Sequence, residues 1–231
     1  MQNGGGMYMN HQTTPPATHY SIDVECVATG RDHNARAVAQ ISLVDQYEQV
    51  ILNLYVRPQQ QIVSYLTPLT GLTREIIEGQ GIPLEEAVRI LRQYLPQNSI
   101  LVGQNIGKDV DWLQLKEGKD YQSLVDLTGI YRVWNTKYKT WSVFGQDHLA
   151  KVLLGWNTEN TSHDAVGDAV KSIRLFNLYK SLQSDPQAWR RAQETVMASE
   201  VQPSFAKRNP EYDGVCMGNR RQCKCGAPFL G

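Results

Sequence analysis

The sequence predicts an α/β domain in which helices cover both faces of a mixed five-stranded sheet. Two observations lead to this fold class. Three closely spaced segments near the N-terminus have the alternation and the β-branched residues of strands, which indicates an antiparallel meander. Helical segments then alternate with two short apolar segments, an order that adds strands to the sheet and helices to its faces.

Five strands are predicted, and the first has the clearest pattern. Its residues are apolar at alternate positions and rich in Val and Ile, and the polar segment 31–34 forms a turn after it. The predicted strands are residues 20–28, 35–44, 49–56, 99–103 and a short strand that ends at 124–126.

Five helices are predicted from apolar residues at helical spacing. The longest places Val166, Val170, Ile173 and Phe176 on one face. The predicted helices are residues 83–94, 108–115, 147–154, 165–182 and a segment that follows Pro186. A ribonuclease-H-like sheet fits this order of strands and helices.

Composition limits the classes of protein to which the chain can belong. Its 231 residues include 23 basic and 23 acidic side chains, so nucleic acid could be bound only through a local patch or metal ions. Three of the four cysteines lie near the C-terminus, which favours a reducing compartment over a secreted disulfide framework. No apolar stretch approaches the ~20 residues that span a membrane. We therefore expect a soluble intracellular protein, in the nucleus or the cytoplasm, without a membrane partner.

The chain divides into three predicted parts. Residues 1–19 are rich in Gly, Pro, Asn and Thr, and we expect a flexible tail there rather than a signal peptide. Residues 20–183 hold the predicted strands and the longest helix, and form the main domain. Residues 184–231 contain a further helix and a cysteine-containing tail without periodicity.

Two carboxylates share one face of the first predicted strand. Side chains alternate along a strand, so Asp23 and Glu25 lie on the same side, where they repel each other and lose hydration if the strand is interior. Cations above the pair would relieve that repulsion, and Mg²⁺ prefers oxygen ligands. The spacing alone also fits an exposed edge strand with two surface acids.

Further polar residues follow at helix starts. Asp109 comes just after a strand and a glycine turn, where an acid is also common because of the helix dipole. His163 precedes Asp168 by five residues at the start of the longest helix. Periodicity alone makes Asp168 a surface acid, with Ser162 or Asp164 as the helix cap. The combination of these residues, rather than any one of them, indicates a site.

This combination resembles the three exonuclease motifs of the DEDDh family. The matching residues are Asp23-Val24-Glu25, then Val102-Gly103 followed by Asp109, then His163 with Asp168. The stretches IDVECVATG, YLTPLTGLTREII and DHLAKVLLG resemble the group that contains RNA exonuclease 4 and the interferon-stimulated exonuclease, with the RNase T type more distant. The resemblance covers residues 20 to 179. Gln104 and Cys26 depart from the His and Met that members often carry, and neither position supplies a metal ligand in the family.

The resemblance implies a metal-dependent 3′–5′ exonuclease that releases nucleoside 5′-monophosphates. It implies that His163 is the general base and that four acids hold two Mg²⁺ or Mn²⁺ ions. Those acids are Asp23, Glu25, Asp109 and Asp168. Asp111 and Asp164 fall outside the motif spacing and are expected to be surface acids. Single-stranded RNA is the expected substrate, while a DNA substrate and an inactive scaffold that only binds nucleic acid are the alternatives.

The resemblance also implies two walls for the terminal nucleotide, where Gly71 would allow a close backbone approach. The wall residues are Val24, Cys26, Val27, Leu69, Gly71, Leu72 and Thr73. A separate aromatic and basic segment at 130–141, which includes Trp134 and Lys137, could stack bases and contact phosphates. Core packing by its aromatic side chains is an equal alternative.

Three cysteines near the C-terminus, Cys216, Cys223 and Cys225, predict a small structural Zn²⁺ site. Tetrahedral zinc needs four ligands, so a histidine from elsewhere, such as His148 or His19, would have to complete it. Free thiols in a disordered tail are the alternative. No protein partner is indicated by the sequence.

Overall fold

The computed structural model describes residues 15–157 and 162–229 and contains a central five-stranded sheet. Its strands are β1 (His19–Ala28), β2 (Arg36–Asp45), β3 (Val50–Tyr55), β4 (Ile100–Gly103) and β5 (Ser123–Asp126). The order across the sheet is β3-β2-β1-β4-β5, with β2 antiparallel to its two neighbours and β1, β4 and β5 parallel. The predicted mixed sheet is confirmed. Most of the predicted N-terminal tail lies outside the described residues.

Helices connect and cover the strands. They are α1 (Thr67–Thr70), α2 (Arg74–Gln80), α3 (Leu84–Tyr94), α4 (Gly107–Trp112), α5 (Leu127–Tyr131), α6 (Gln146–Leu154), α7 (Ala165–Leu182), α8 (Pro186–Ala198) and α9 (Phe205–Arg208). Two small hairpins consist of β6 (Val133–Asn135) with β7 (Thr140–Ser142), and β8 (Glu211–Tyr212) with β9 (Val215–Cys216). The sequence predicted none of α1, α2, α5 and α9, because one or two turns give too few residues for a periodic signal.

The alternation along β1 sends its side chains to two different layers. Ile22 belongs to the apolar cluster that includes Val88 and Leu91 of α3. Asp23 and Glu25 are on the opposite face of β1, the face on which α7 packs. One strand therefore contributes both to the core and to the polar pocket described below.

The start of α7 is tied to β2 by side-chain hydrogen bonds. Ser42 Oγ donates to the carbonyl of Ala165 at 2.6 Å, and Gln40 Nε2 donates to Asp164 Oδ1 at 2.9 Å. Asp164 also caps the helix by accepting from the amide of Gly167 at 3.2 Å. Asp164 is exposed, as expected for a surface acid, and it is the helix cap that the sequence offered as an alternative to Ser162.

The C-terminal part packs on the sheet domain rather than extending from it. Trp189 and Val196 of α8 join an apolar cluster with Tyr131 and Phe176. Val215 of β9 is fully buried in a smaller apolar cluster at the end of β1. No helix within residues 15–157 and 162–229 is long and apolar enough to span a lipid bilayer.

Candidate active site

Four acids from three elements converge on one pocket of about 290 Å³. β1 supplies Asp23 and Glu25, the first turn of α4 supplies Asp109, and the first turn of α7 supplies Asp168. The other lining residues are Val24, Cys26, Gln104, Asn105, Lys108 and Trp112. The structure thus brings together the four acids that the sequence grouped, and the edge-strand alternative for β1 is wrong because β1 lies at the centre of the sheet.

Local backbone features position the acids. The pairing of β1 with β2 shifts its register between Glu25 and Cys26, a bulge of the kind often found beside functional sites. The backbone amides of Asp109 itself and of Val24 donate hydrogen bonds to the Asp109 carboxylate. These bonds link the start of α4 to β1 at the floor of the pocket.

His163 lies beside the acids and is held at three atoms. Its Nδ1 is 2.8 Å from Asp168 Oδ2, and its Nε2 is 3.4 Å from Asp147 Oδ2. Its backbone amide donates to the carbonyl of Leu69 at 2.6 Å. Ligand atoms of Glu25, His163 and Asp168 lie within 4.8 Å of one another. The imidazole is therefore oriented by a carboxylate at the edge of the pocket.

Lys171 is a site residue that the sequence analysis missed. Its Nζ lies 2.7 Å from Asp168 Oδ1 and 2.7 Å from Asp147 Oδ1, and its side chain is only 8% exposed. A lysine three residues after an acid on one helix face was the available signal, since such pairs are neighbours. The ammonium group compensates part of the negative charge at this end of the pocket.

Burial raises the pKa of three of the acids. The pKa of Asp23 lies well above its ordinary value, first through burial and then through the charges of Asp168, Asp109 and Glu25. Burial is also the largest cause that raises the pKa of Glu25 to about 8 and that of Asp109 to about 7. Without cations, the cluster therefore retains protons near neutral pH, and a metal ion would have to displace them.

The pKa values of Asp168 and His163 shift in opposite directions, because the two side chains are hydrogen-bonded to each other. Burial raises the pKa of Asp168, but the hydrogen bond and charge of His163, together with Lys171, outweigh it and hold that pKa below its ordinary value. The same hydrogen bond raises the pKa of His163 to about 9. In the absence of metal the ring is therefore protonated at neutral pH.

We expect the metal-free protein to lose stability as the pH rises from about 5 to about 9. Glu25, with a folded pKa of about 8 against an ordinary 4.5, keeps a proton that the unfolded chain has released, so the free energy of unfolding falls with pH. His163 acts in the same direction between its ordinary 6.5 and about 9. Asp168 acts in the opposite direction, because its folded pKa lies below its ordinary 3.8. The stability that its carboxylate contributes is therefore lost only as the pH falls below that value.

Thermal melts in EDTA across this range measure the effect. Glu25→Gln should flatten the slope, and Mg²⁺ or Mn²⁺ should raise the melting temperature of the wild type most at the alkaline end. A wild-type melting temperature that climbs between about pH 5 and pH 9 would contradict the proton distribution described here.

The predicted nucleotide walls are only partly at the pocket. Val24 and Cys26 line it. Val27 and Leu72 do not, because their side chains are buried at 0% and 2% exposure in an apolar cluster, which corrects their assignment. Thr73 caps α2 by accepting from the amide of Ile76.

Leu69 and Gly71 lie beside His163. The Leu69 carbonyl holds the His163 amide, and Gly71 has a positive φ of 70°. A Cβ at Gly71 would lie 3.0 Å from Ser162 Oγ and 3.5 Å from the His163 carbonyl. The segment is thus in backbone contact with the start of α7, where only glycine fits without a shift.

Most of the aromatic and basic segment forms the β6–β7 hairpin, whereas Tyr131 at its start packs in the apolar core, as the alternative had it. Trp134 and Trp141 are each about half exposed and contact each other edge to face with ring centres 5.5 Å apart. Lys137 Nζ lies 5.3 Å from the centre of the Tyr138 ring. These side chains form a surface rather than a core. Gln104, which lines the pocket, donates to the carbonyl of residue 144 just beyond the hairpin.

The three C-terminal cysteines come together with His33, which the sequence analysis did not select. Neither of the histidines that were considered lies there. His148 is buried and its Nε2 is 3.1 Å from the carbonyl of Val196, while the His19 ring packs on Phe176. Both suggested fourth ligands are therefore wrong.

An exonuclease family model of the RNase T type matches residues 21–176. Small RNA degrading nuclease 2 of Arabidopsis thaliana is 27% identical over 163 residues, which cover 67% of this chain and 33% of that protein. RNA exonuclease 4 of Gibberella zeae is 27% identical over 179 residues, which cover 77% of this chain and 54% of that protein. The chain spans about half or less of the length of the curated relatives it matches.

Solved structures of low sequence identity have the same fold. The Neurospora crassa Pan2 catalytic unit, which contains a protease and a nuclease domain, superposes with a TM-score of 0.66 at 18% identity. The matched part covers 83% of this chain and 32% of that one. The ribonuclease-H-like sheet expected from the order of elements is confirmed by this likeness.

Proposed function

The chain belongs to the exonuclease family, and we propose that it is a metal-dependent 3′–5′ exonuclease that hydrolyses RNA to nucleoside 5′-monophosphates. One observation supports this above the others. Asp23, Glu25, Asp109 and Asp168 converge from three elements on one open pocket, with His163 at its edge. Carboxylates gathered in this way repel one another and are typical of sites that hold cations.

The four acids would hold two Mg²⁺ or Mn²⁺ ions. The donor set fits, because it consists of carboxylate oxygens and includes Asp23, whose pKa is raised by burial and by three neighbouring carboxylates. When bound, such ions supply an activated water and stabilise the departing O3′. A structural Zn²⁺ on the three C-terminal thiols is a separate proposal. None of these thiols lines the acidic pocket, where Cys26 is the one cysteine among the lining residues.

His163 would take the proton of the attacking water. Asp168 orients the ring through Nδ1, and Nε2, which lies 3.4 Å from Asp147 Oδ2, would exchange that contact for the proton of the water. In the metal-free protein the pKa of about 9 keeps the ring charged. Cations that draw on the charge of Asp168 would lower this pKa toward neutrality, so metal binding and activation of the base are coupled.

Lys171 would act on Asp168 rather than on the substrate. Its ion pairs with Asp168 and Asp147, both at 2.7 Å, hold the carboxylate at the start of α7 in a single position. Because the Lys171 side chain is almost fully buried, it is a positioning residue of the site.

The segment around Leu69 and Gly71 would hold the terminal nucleotide, since it lies in backbone contact with His163. The exposed rings of the β6–β7 hairpin, Trp134 above all, and the nearby Lys137 would stack bases and contact phosphates farther along the strand. With no net charge on the chain, these local contacts and the metal ions would provide the attraction for nucleic acid.

RNA is favoured over DNA because the curated relatives named above carry RNA in their names. Enzymes distinguish the two through the 2′-hydroxyl group. A DNA exonuclease is the second candidate function. An inactive binding scaffold has less support, because all four acids and His163 are present.

Degradation should run from a free 3′ end. We expect 5′-labelled single-stranded RNA to shorten one nucleotide at a time with Mg²⁺ or Mn²⁺, and a 3′-phosphate to stop the reaction. An RNA that carries a 5′-phosphate and a free 3′ end is the matched control and should react at the normal rate.

The same assay separates the alternatives when sequence-matched DNA is digested in parallel. Faster loss of DNA would favour the second candidate, and binding without hydrolysis would favour the scaffold. If the 3′-phosphate left the rate unchanged, the proposed polarity would be wrong.

A further inference from the structure

We propose that His33, Cys216, Cys223 and Cys225 form a tetrahedral Zn²⁺ site that fastens the C-terminal segment to the turn between β1 and β2. Their ligand atoms all lie within 4.8 Å of one another. Three thiols and one imidazole are a donor set that Zn²⁺ uses in structural sites. The residues that line the acidic pocket include none of the four, so the proposal does not depend on exonuclease activity.

The spacing of the ligand atoms matches a tetrahedron around zinc. Zn–S bonds of ~2.3 Å and Zn–N bonds of ~2.0–2.1 Å place sulfur pairs about 3.8 Å apart and nitrogen–sulfur pairs about 3.6 Å apart. Cys223 Sγ is 3.5 Å from Cys216 Sγ and 3.4 Å from Cys225 Sγ. His33 Nδ1 is 3.1, 3.6 and 4.0 Å from the sulfurs of Cys225, Cys223 and Cys216. One cation can therefore reach all four atoms.

A disulfide explains the cluster less well. The bonded S–S distance is about 2.05 Å, and all the cysteines of the cluster are free thiols. Cys223 is almost equidistant from Cys216 and Cys225, so a disulfide would have to select one partner and leave an odd thiol. A shared cation uses all three sulfurs at once.

The imidazole is oriented as a zinc ligand. Its Nε2 donates to the carbonyl of Pro228 at 3.3 Å, which directs the lone pair of Nδ1 toward the sulfurs. Metal-bound histidines commonly donate their other ring N–H to a carbonyl in this way. Asn34 Nδ2 donates to the same carbonyl at 2.8 Å, and Phe229 stacks on the His33 ring at 4.3 Å.

Backbone amides point at two of the sulfurs. Those of Ala227 and His33 donate to Cys225, and that of Gly218 donates to Cys216. Such donors favour the negatively charged sulfur that binds metal, and at Cys216 they act against the burial that raises the pKa of the thiol to about 11. Backbone amides thus contact two of the three sulfurs of the cluster.

Backbone contacts hold the β8–β9 hairpin beside the β1–β2 turn. Cys216 ends the β8–β9 hairpin, whose turn has two positive φ angles, 49° at Asp213 and 70° at Gly214. The amide of Cys216 donates to the carbonyl of Arg31, and Arg36 Nη2 donates to the carbonyl of Cys216, both at 2.8 Å. Hydrogen bonds thus hold the hairpin against the β1–β2 turn, which carries His33.

The zinc site also supports the segment beside the acidic pocket. Val215 of the hairpin packs with Ala28 and Leu66 in one apolar cluster, and Leu69 lies against that cluster. The carbonyl of Leu69 accepts the amide of His163. Through these contacts the hairpin buttresses the backbone that positions His163.

Metal analysis of the full chain tests the site. Protein purified under reducing conditions and dialysed against metal-free buffer should retain one zinc per chain by inductively coupled plasma mass spectrometry. Co²⁺ in its place should give tetrahedral d–d bands and a thiolate charge-transfer band. His33→Ala and Cys223→Ser should each lose most of the zinc, whereas His19→Ala should keep it.

Two further variants distinguish loss of the zinc ligands from loss of the fold and from effects of the acidic pocket. His33→Cys should fold, retain one zinc and strengthen the charge-transfer band, because a fourth thiolate replaces the imidazole. Asp23→Asn should also retain one zinc, which separates this site from the acidic pocket. A wild-type chain without zinc, or a His33→Ala chain with full zinc and an unchanged Co²⁺ spectrum, would overturn the proposal.

Discussion

Asp23→Ala should reduce hydrolysis of RNA by at least about 10³-fold at saturating Mg²⁺. A bound divalent ion supplies several kcal/mol of transition-state stabilisation, and each 1.4 kcal/mol corresponds to about tenfold in rate. Asp23 is central to the cluster, since its pKa responds to the charges of Asp168, Asp109 and Glu25. The substitution therefore removes the expected metal ligand that interacts with all three of the other acids.

The fold of this variant should survive. Loss of one carboxylate relieves repulsion, so the melting temperature in EDTA should be unchanged or higher than that of the wild type. Asp23→Asn, which keeps the side-chain volume, is the second variant if alanine leaves a cavity. Asp111→Ala is the matched control, because Asp111 is exposed on the same helix as Asp109. Full activity of a folded Asp23→Ala, or wild-type turnover in excess EDTA, would remove the basis for a metal-dependent reaction.

His163→Ala should lower kcat by ~10²–10⁴-fold, the usual contribution of a general base. Substrate binding and metal binding should change far less, because no carboxylate is lost. The rate of the wild type should fall on acidification because His163 becomes protonated. The rate of the His163→Ala variant should not show this fall. Single-turnover rates at saturating metal, measured across pH, separate these effects from binding.

Asp164→Ala is the informative comparison for this variant. Asp164 caps α7 and accepts from Gln40, so its loss should cost roughly 0.5–2 kcal/mol of stability while chemistry is reduced much less than in His163→Ala. A crippled Asp164→Ala beside a nearly normal His163→Ala would show that the motif has been placed in the wrong register. The assignment of Asp168 as a ligand would then be wrong as well.

Much of the fold follows from local sequence. The strand at residues 20–28 and the helix Ala165–Leu182 were predicted within one residue, because alternation and helical periodicity persist over many positions. The grouping of Asp23, Glu25, Asp109 and Asp168 came from the resemblance to a family. Periodicity alone assigned Asp168 to the surface, although it is only 7% exposed, because a helix pattern does not reveal a polar pocket.

The remaining features depend on contacts between distant parts of the chain. Val27 and Leu72 were assigned to a nucleotide wall, but tertiary packing buries both in the core. The second ion pair of Lys171 forms only because Asp147 of another helix lies beside it. No spacing rule connects His33 with Cys216, which is 183 positions away.

That separation along the chain has a consequence for biosynthesis. Translation proceeds from the N-terminus, and domains generally begin to fold as they emerge. All five sheet strands and all four acids of the pocket precede Cys216 in the sequence, so the ribosome delivers them first. The contacts of His33 with the cysteines form later, because these partners lie up to 192 positions downstream of His33 in the chain. The contacts between the three C-terminal cysteines and the β1–β2 turn can therefore form only after the strands and acids of the sheet domain have been synthesised.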